Sequence, residues 1–175
     1  QDAPGPMGRL VRDVALLYDA LSGETTAATL DAVALAEVRL GIAHGWRSGH
    51  AATDATFDEM LAVLRAAGGA LHDVDVEPAP DDVGEAELLV LLTELREELD
   101  AYLAGRGGAG PQTLAEVVEL NGAWAEVELR HFGQDLFERA LATEGRSSAG
   151  YRNARARCLD WAIDRQLAPA LAEAE

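Results

Sequence analysis

Val38-Arg39-Leu40-Gly41-Ile42-Ala43-His44-Gly45-Trp46-Arg47-Ser48-Gly49-His50 opens the stretch that decides the fold, and Ala70-Leu71-His72-Asp73-Val74-Asp75-Val76 closes it. Val38–Ala43 is a short apolar run that ends in a Gly-rich polar loop, the pattern of a buried strand. Ala70–Val76 alternates apolar and polar residues and is stopped by Pro78 and Pro80, again a strand. Between them, Phe57, Met60, Leu61 and Leu64 recur at helical spacing. Thr53 or Asp54 stands where a cap is needed, so the spacing predicts a helix over Asp54–Ala67, ended by Gly68-Gly69. Strand, helix and strand at this spacing form a βαβ unit, which implies parallel pairing and a right-handed crossover. Two strands alone make a marginal sheet. Either further strands of a longer chain or helices and a second copy must cover their edges.

Outward from this unit the pattern is helical. Before it, Leu10, Val14, Leu17 and Leu21 recur at helical spacing beside Val11, Ala15 and Tyr18, after the turn Pro4-Gly5-Pro6. Ser22-Gly23 ends that helix. The Ala-rich Glu24–Glu37 is ambiguous and holds at most a short helix. After the unit, Val83–Leu103 reads as one long helix with a Leu-rich face, followed by a Gly-rich loop, Gly105–Pro111. Thr113-Leu114-Ala115-Glu116 has the capping-box pattern and opens a helix towards Asn121. A further helix is predicted over Gln134–Ala142. The last long helix is capped by Ser147 or Ser148, runs through Tyr151, Ala154, Cys158 and Trp161, and is interrupted by Pro169. The fold class expected is therefore α/β and predominantly helical, with residues 1–175 a single domain or part of one.

The 175 residues carry a formal charge of −17, with 49% apolar and 26% charged residues. That composition is globular. The charge argues against a nucleic-acid partner, which requires clustered cations to neutralise phosphates, and against anionic membranes. No signal peptide or membrane-length apolar run is visible, so a cytoplasmic location is the default expectation. All fourteen cationic residues are Arg, and there is no lysine. The single Cys158 lies at helical spacing from apolar neighbours and reads as a buried structural thiol rather than a nucleophile.

The residues carry few chemical motifs. There is no GxSxG elbow, P-loop, dinucleotide fingerprint, HExxH or CxxC. His44, His50 and Asp54 are imaginable as metal ligands, but their spacing fits no helix face, and a polar loop is the simpler reading, so no metal and no cofactor are expected. His131 reads as a polar residue at a helix entrance. Asp13 and Asp19 are most simply solvated, and Ser147-Ser148 most simply a helix cap.

The opening, Gln1-Asp2-Ala3-Pro4-Gly5-Pro6-Met7-Gly8-Arg9-Leu10-Val11-Arg12-Asp13-Val14-Ala15-Leu16-Leu17-Tyr18-Asp19-Ala20-Leu21-Ser22-Gly23, resembles the stretch just after the active-site motifs of amidase-signature amide hydrolases. The likeness continues in family order. It runs through Val38–Ala43, through Ala66-Ala67-Gly68-Gly69-Ala70 with Val74-Asp75-Val76, and through Glu94–Leu103, with Glu98-Leu99-Asp100-Ala101-Tyr102-Leu103. It extends over Thr113–Asn121, Phe132-Gly133-Gln134-Asp135-Leu136-Phe137-Glu138 and Tyr151-Arg152-Asn153-Ala154. Ala3 and Gly8 depart from the residues more usual there, and the family's C-terminal return to the sheet is not recognisable after Pro169.

The resemblance implies a mixed-sheet fold of which the βαβ unit and its helices are one part. It also implies a parent that hydrolyses non-peptide or peptide-terminal amide bonds. In such enzymes a Ser nucleophile is activated by a second Ser in contact with an uncharged Lys, and backbone N–H groups hold the oxyanion. None of those three side chains maps here, so no catalytic residue is expected and the chain reads as an inactive internal segment. The resemblance places Gln1 and Asp2 close to the serine loop as active-site support. It places Phe132 and Gln134 along the route to substrate, although packing is the simpler role for that pair. A small amide is the expected substrate only of an intact parent. The expected partner is a second copy or the missing part of the enzyme. The alternative is a non-catalytic helical binding or oligomerisation module derived from an amidase.

Overall fold

The computed structural model describes residues 5–30 and 34–173. Among them the elements run, in chain order, α1 (Val11–Ser22), 3-10 turns over Thr26–Thr29 and Leu35–Glu37, β1 (Arg39–Ile42), a 3-10 turn over His44–Trp46, α2 (Ala51–Ala66), β2 (Ala70–Asp73), α3 (Asp81–Arg106), α4 (Leu114–Ala123), α5 (Ala125–Glu128), α6 (Asp135–Leu141), α7 (Ala149–Leu159), a π-helical segment (Asp160–Leu167) and α8 (Ala168–Glu173). The chain is mostly helical and divides into two compact units. One comprises the chain up to Pro78 together with the stretch from Gln166 onward; the other is Ala79–Arg165.

In the first unit β1 and β2 pair in parallel, with Arg39 opposite Ala70 and Ile42 opposite Asp73. The expected βαβ arrangement of strands is thus present, with shorter strands than the apolar runs suggest. The second strand's regular pairing stops at Asp73 because β1 has no residue left to face it; a last hydrogen bond, Val74 N to Ile42 O at 3.1 Å, ends the ladder. Helix α2 begins earlier than expected, at Ala51, and neither Thr53 nor Asp54 caps it. Asp54 instead accepts from Ser48 Oγ at 3.0 Å, within the loop. Leu61 is buried, but Met60 is exposed.

Two glycines hold backbone that no other residue would. Gly23 ends α1 at φ 78° with its N–H on Asp19 O, as the Ser-Gly signal predicts. Gly45 sits so close to the strand exit that a Cβ there would lie 1.8 Å from Val76 O. The same exit is tied by Trp46 Nε1, which donates to Glu77 O at 2.9 Å, and by Glu77 N, which donates to Gln166 Oε1 at 2.7 Å. Ala15, Ile42, Leu61, Val76 and Ala170 are the buried apolar residues of this unit among the described residues.

The second unit is built on α3, a helix apolar on more than one side. Val90 packs with Tyr151 and Ala154 of α7. Leu92 packs with Leu114 of α4 and Ala140 of α6, flanked by Leu88, Leu95, Leu99, Val118 and Phe137. Leu114 has no exposed surface, a burial worth roughly 2 kcal/mol by area. Thr93 is also buried, and its hydroxyl donates to Leu89 O at 2.7 Å, so no polar atom there is left unpaired. The helix ends follow the sequence signals: Thr113 Oγ1 accepts from Glu116 N at 3.2 Å, and Ser148 Oγ accepts from Tyr151 N at 3.1 Å. The capping box is displaced by one residue in its return arm, since Glu116 accepts from Gln112 N.

Pro169 does not interrupt the last helix. The helical run continues without a break from α7 through the π-helical segment into α8, with Pro169 as the second residue of α8.

Candidate functional site

Phe132 and Gln134 lie two residues apart on the loop that enters α6. Phe132 is 83% exposed, so among the described residues nothing packs over its ring. Gln134 is half-buried; its Nε2 donates to Val118 O at 3.4 Å, while its Oε1 is buried with no hydrogen-bond partner among the described residues. A buried carbonyl without a donor is costly. Gln1 and Asp2 lie outside the described residues.

A cleft of about 410 Å³ opens at the β1–α2 turn, lined by Gly41, Ala43, Trp46, Thr53 and Phe57, with Arg47, Ser48 and Asp54. The turn from a parallel strand into the next helix is where α/β folds commonly place ligands. Arg47 is fully engaged on one side: Nη2 donates to Asp54 O at 2.9 Å and to Asp58 Oδ2 at 2.8 Å, and the guanidinium stands 5.5 Å from the centre of the Phe57 ring. The hydrogen bond to Asp58 raises the Arg47 pKa and lowers that of Asp58. The cation is locally neutralised, and the cleft is a structured loop rather than an anion trap.

His44 and His50 do not converge. His44 Nε2 lies 3.1 Å from Asp73 Oδ1, joining the ends of the two strands, and His50 Nδ1 lies 3.4 Å from Thr53 Oγ1. Among the described residues no three His, Cys, Asp or Glu are grouped to hold a metal. Asp19 corrects its expectation of being solvated. Its two carboxylate oxygens accept from Thr26 N at 2.6 Å and Ala27 N at 2.9 Å, holding the turn after α1.

Three serine hydroxyls are committed to structure. Ser22 donates to Tyr18 O, Ser48 to Asp54, and Ser148 caps α7. Burial pushes the Cys158 thiol up, with the Glu87 charge acting in the same direction, so the thiolate is suppressed. None of these groups is an activated nucleophile.

The strongest polar network is one that no local spacing announces. In the second unit Tyr151 OH donates to Glu94 Oε1 at 2.6 Å, and that hydrogen bond raises the phenol's pKa. Arg146 N donates to Glu97 and its Nη2 to Glu98, while Arg96 Nη1 donates to the carbonyls of Leu141 and Thr143 at the end of α6. The pattern Glu94 to Glu98 on α3 is the only sequence trace of it, and a solvated acidic face would look the same.

The described residues thus form two units, a small parallel βαβ unit and a helical unit built on one long helix. Among solved structures, it is similar to the crystal structure of PAM12A, with a TM-score of 0.84 and 28% identity over 99% of this chain and 38% of that one. It is also similar to the native peptide amidase from Stenotrophomonas maltophilia, with a TM-score of 0.80 and 28% identity over 97% of this chain and 38% of that one. A third structure, the peptide amidase PAM in complex with the competitive inhibitor chymostatin, aligns with a TM-score of 0.75 and 27% identity over 94% of this chain and 37% of that one. This chain therefore spans under two fifths of the length of the peptide amidases it matches. No protein-family model matches it, and no curated protein matches it significantly. The likeness supports an amide-hydrolase-like ancestry.

No helix among the described residues is long and apolar enough to cross a membrane.

Proposed function

We propose that this chain is a segment of an amidase-signature amide hydrolase and is inactive by itself. The observation that carries the reading is the likeness to the Stenotrophomonas maltophilia peptide amidase, which extends over 97% of this chain. The absence of lysine adds to it, since the family's activating base is a neutral Lys. The substrate of the parent is a small amide or a peptide-terminal amide. Gln1 and Asp2 support the serine loop, and Phe132 and Gln134 line the route to the substrate. The exposed ring of Phe132 and the unpaired carbonyl of Gln134 agree with such a role, one offering apolar contact and the other an acceptor. The partner is the rest of the enzyme or a second copy.

The test is turnover. The purified 175-residue chain, offered a C-terminal peptide amide, is expected to release no ammonia. Release that a serine-directed inhibitor abolishes would overturn the reading. The helical-module alternative is decided by the mass of the natural polypeptide: a product near 18.5 kDa favours the module, and a much longer one carrying a Gly/Ser-rich loop favours the enzyme.

A further inference from the structure

Helix α1 leaves much apolar surface uncovered. Of its apolar stripe, Leu10, Val11, Leu17, Tyr18 and Leu21 are exposed, with Leu10 at 64% and Leu21 at 72%, while Val14 is half-buried. The side that is covered carries Ala15, which is buried, and Asp19, whose carboxylate holds the following turn. An amphipathic helix in water buries its stripe, and an apolar face of this kind marks an interaction surface. Those Asp19 hydrogen bonds join α1 to its own following turn, Thr26–Thr29.

We infer that the α1 stripe is a docking surface for the remainder of a peptide-amidase-like chain, the part with no counterpart here; this rests on the amidase reading above. The likeness to PAM12A takes in 99% of this chain but only 38% of that one, so most of such a fold lies outside these residues and is available to cover the stripe. A second copy is the weaker occupant. Two chains of charge −17 repel each other, and a stripe of five side chains on one helix offers far less than the roughly 800 Å² per partner of a stable interface.

The test uses thiol labelling in a Cys158→Ser background. Leu17→Cys is placed in the isolated chain, and in a graft where this chain replaces the matching segment of the Stenotrophomonas maltophilia peptide amidase in a cysteine-free form. Leu17→Cys is expected to label freely in the isolated chain and about tenfold more slowly, or slower still, in the graft, because thiol reactivity follows access. Arg12→Cys, on another side of the helix, is expected to label alike in both. A folded graft in which Leu17→Cys stays fully reactive overturns the docking inference, whatever its activity. Slow labelling in the isolated chain, together with a dimeric sedimentation coefficient, overturns it in favour of a second copy. A folded graft that shields Leu17→Cys but hydrolyses no peptide amide supports the docking surface and counts against the amidase reading alone. A graft that never folds overturns both.

Discussion

The helical unit and the strand-containing unit treat their leucines differently. In the helical unit Leu92, Leu103 and Leu114 are buried where α3, α4, α6 and α7 pack together, although Leu89, Leu91, Leu120, Leu136 and Leu159 on its outer faces are exposed. In the strand-containing unit Leu10, Leu16, Leu17 and Leu21 are exposed, and Leu61 is the leucine that is buried. Helices satisfy their own backbone hydrogen bonds and can complete a core from one stretch of chain. A sheet of two strands cannot: its edges and faces call for partners that the same stretch does not contain. The difference between a unit that closes on itself and one that waits for company follows from secondary structure, not from composition.

Four substitutions would break or sharpen this contrast. Leu114→Ala should have the largest effect, removing about 4 kcal/mol of stability from the helical unit, because the side chain is wholly enclosed and the cavity cannot collapse easily. Denaturant melts read out by residue-resolved hydrogen exchange would show the loss in α3, α4 and α6; a loss under about 1 kcal/mol would mean that the core is loose. Gly45→Ala is next, at about 2–3 kcal/mol in the strand-containing unit, since the new Cβ collides with the Val76 carbonyl, which is backbone and cannot swing aside. Unchanged exchange rates in β1 and β2 would show that this turn relaxes freely.

Tyr151→Phe follows, at about 1–2 kcal/mol, for loss of the hydrogen bond to the Glu94 carboxylate. It carries a pH signature. The folded pKa of Tyr151 is raised above its ordinary 10.0, so the stability it confers is complete below pH 10 and declines as pH rises through the folded value. The helical unit of the wild type should therefore lose stability above pH 10 more steeply than that of Tyr151→Phe, and parallel titration curves would remove Glu94 as the cause. Leu21→Gln should do least, within about 0.5 kcal/mol, because its side chain is already in water. A destabilisation of 2 kcal/mol by calorimetry would show that the stripe is covered in the isolated chain, and would dissolve the contrast between the units.

Much of the architecture is legible in the residues. The alternation in Leu71–Val76, the apolar run at Val38–Ala43 and the helical period between them give two strands that indeed pair in parallel. Thr113, Ser148 and Gly23 mark helix ends because caps are local chemistry, decided within a few residues. What was not legible depends on distance along the chain or on what lies beneath a helix. The outward stripe of α1 carries the same period as an inward one. Asp19 looks like any surface carboxylate until the turn at Thr26 comes back over it. The Tyr151–Glu94 pair joins residues 57 positions apart, and no spacing rule reaches that far. Pro169 misleads in the other direction: the helical run passes through it, with π-helical winding in place of α-helix just before it. The candidate site is the least legible part. Phe132 and Gln134 rest on resemblance, and nothing in their own spacing distinguishes them from any loop before a helix.

The hydrogen bond from Glu77 N to Gln166 Oε1 spans 89 residues, and it has a consequence for biosynthesis. The strand-containing unit draws its final pieces, Gln166 and Ala170, from the far side of the sequence of the helical one. On the ribosome, β1, α2 and β2 emerge first but stay unfinished until the whole of Ala79–Arg165 has been translated. The later-made unit is the earlier-finished one, and at the usual elongation rates of about 5–20 residues per second the two-stranded sheet stands open for several seconds. During that interval its edges and the α1 stripe are what a chaperone, or a neighbouring nascent chain, would meet.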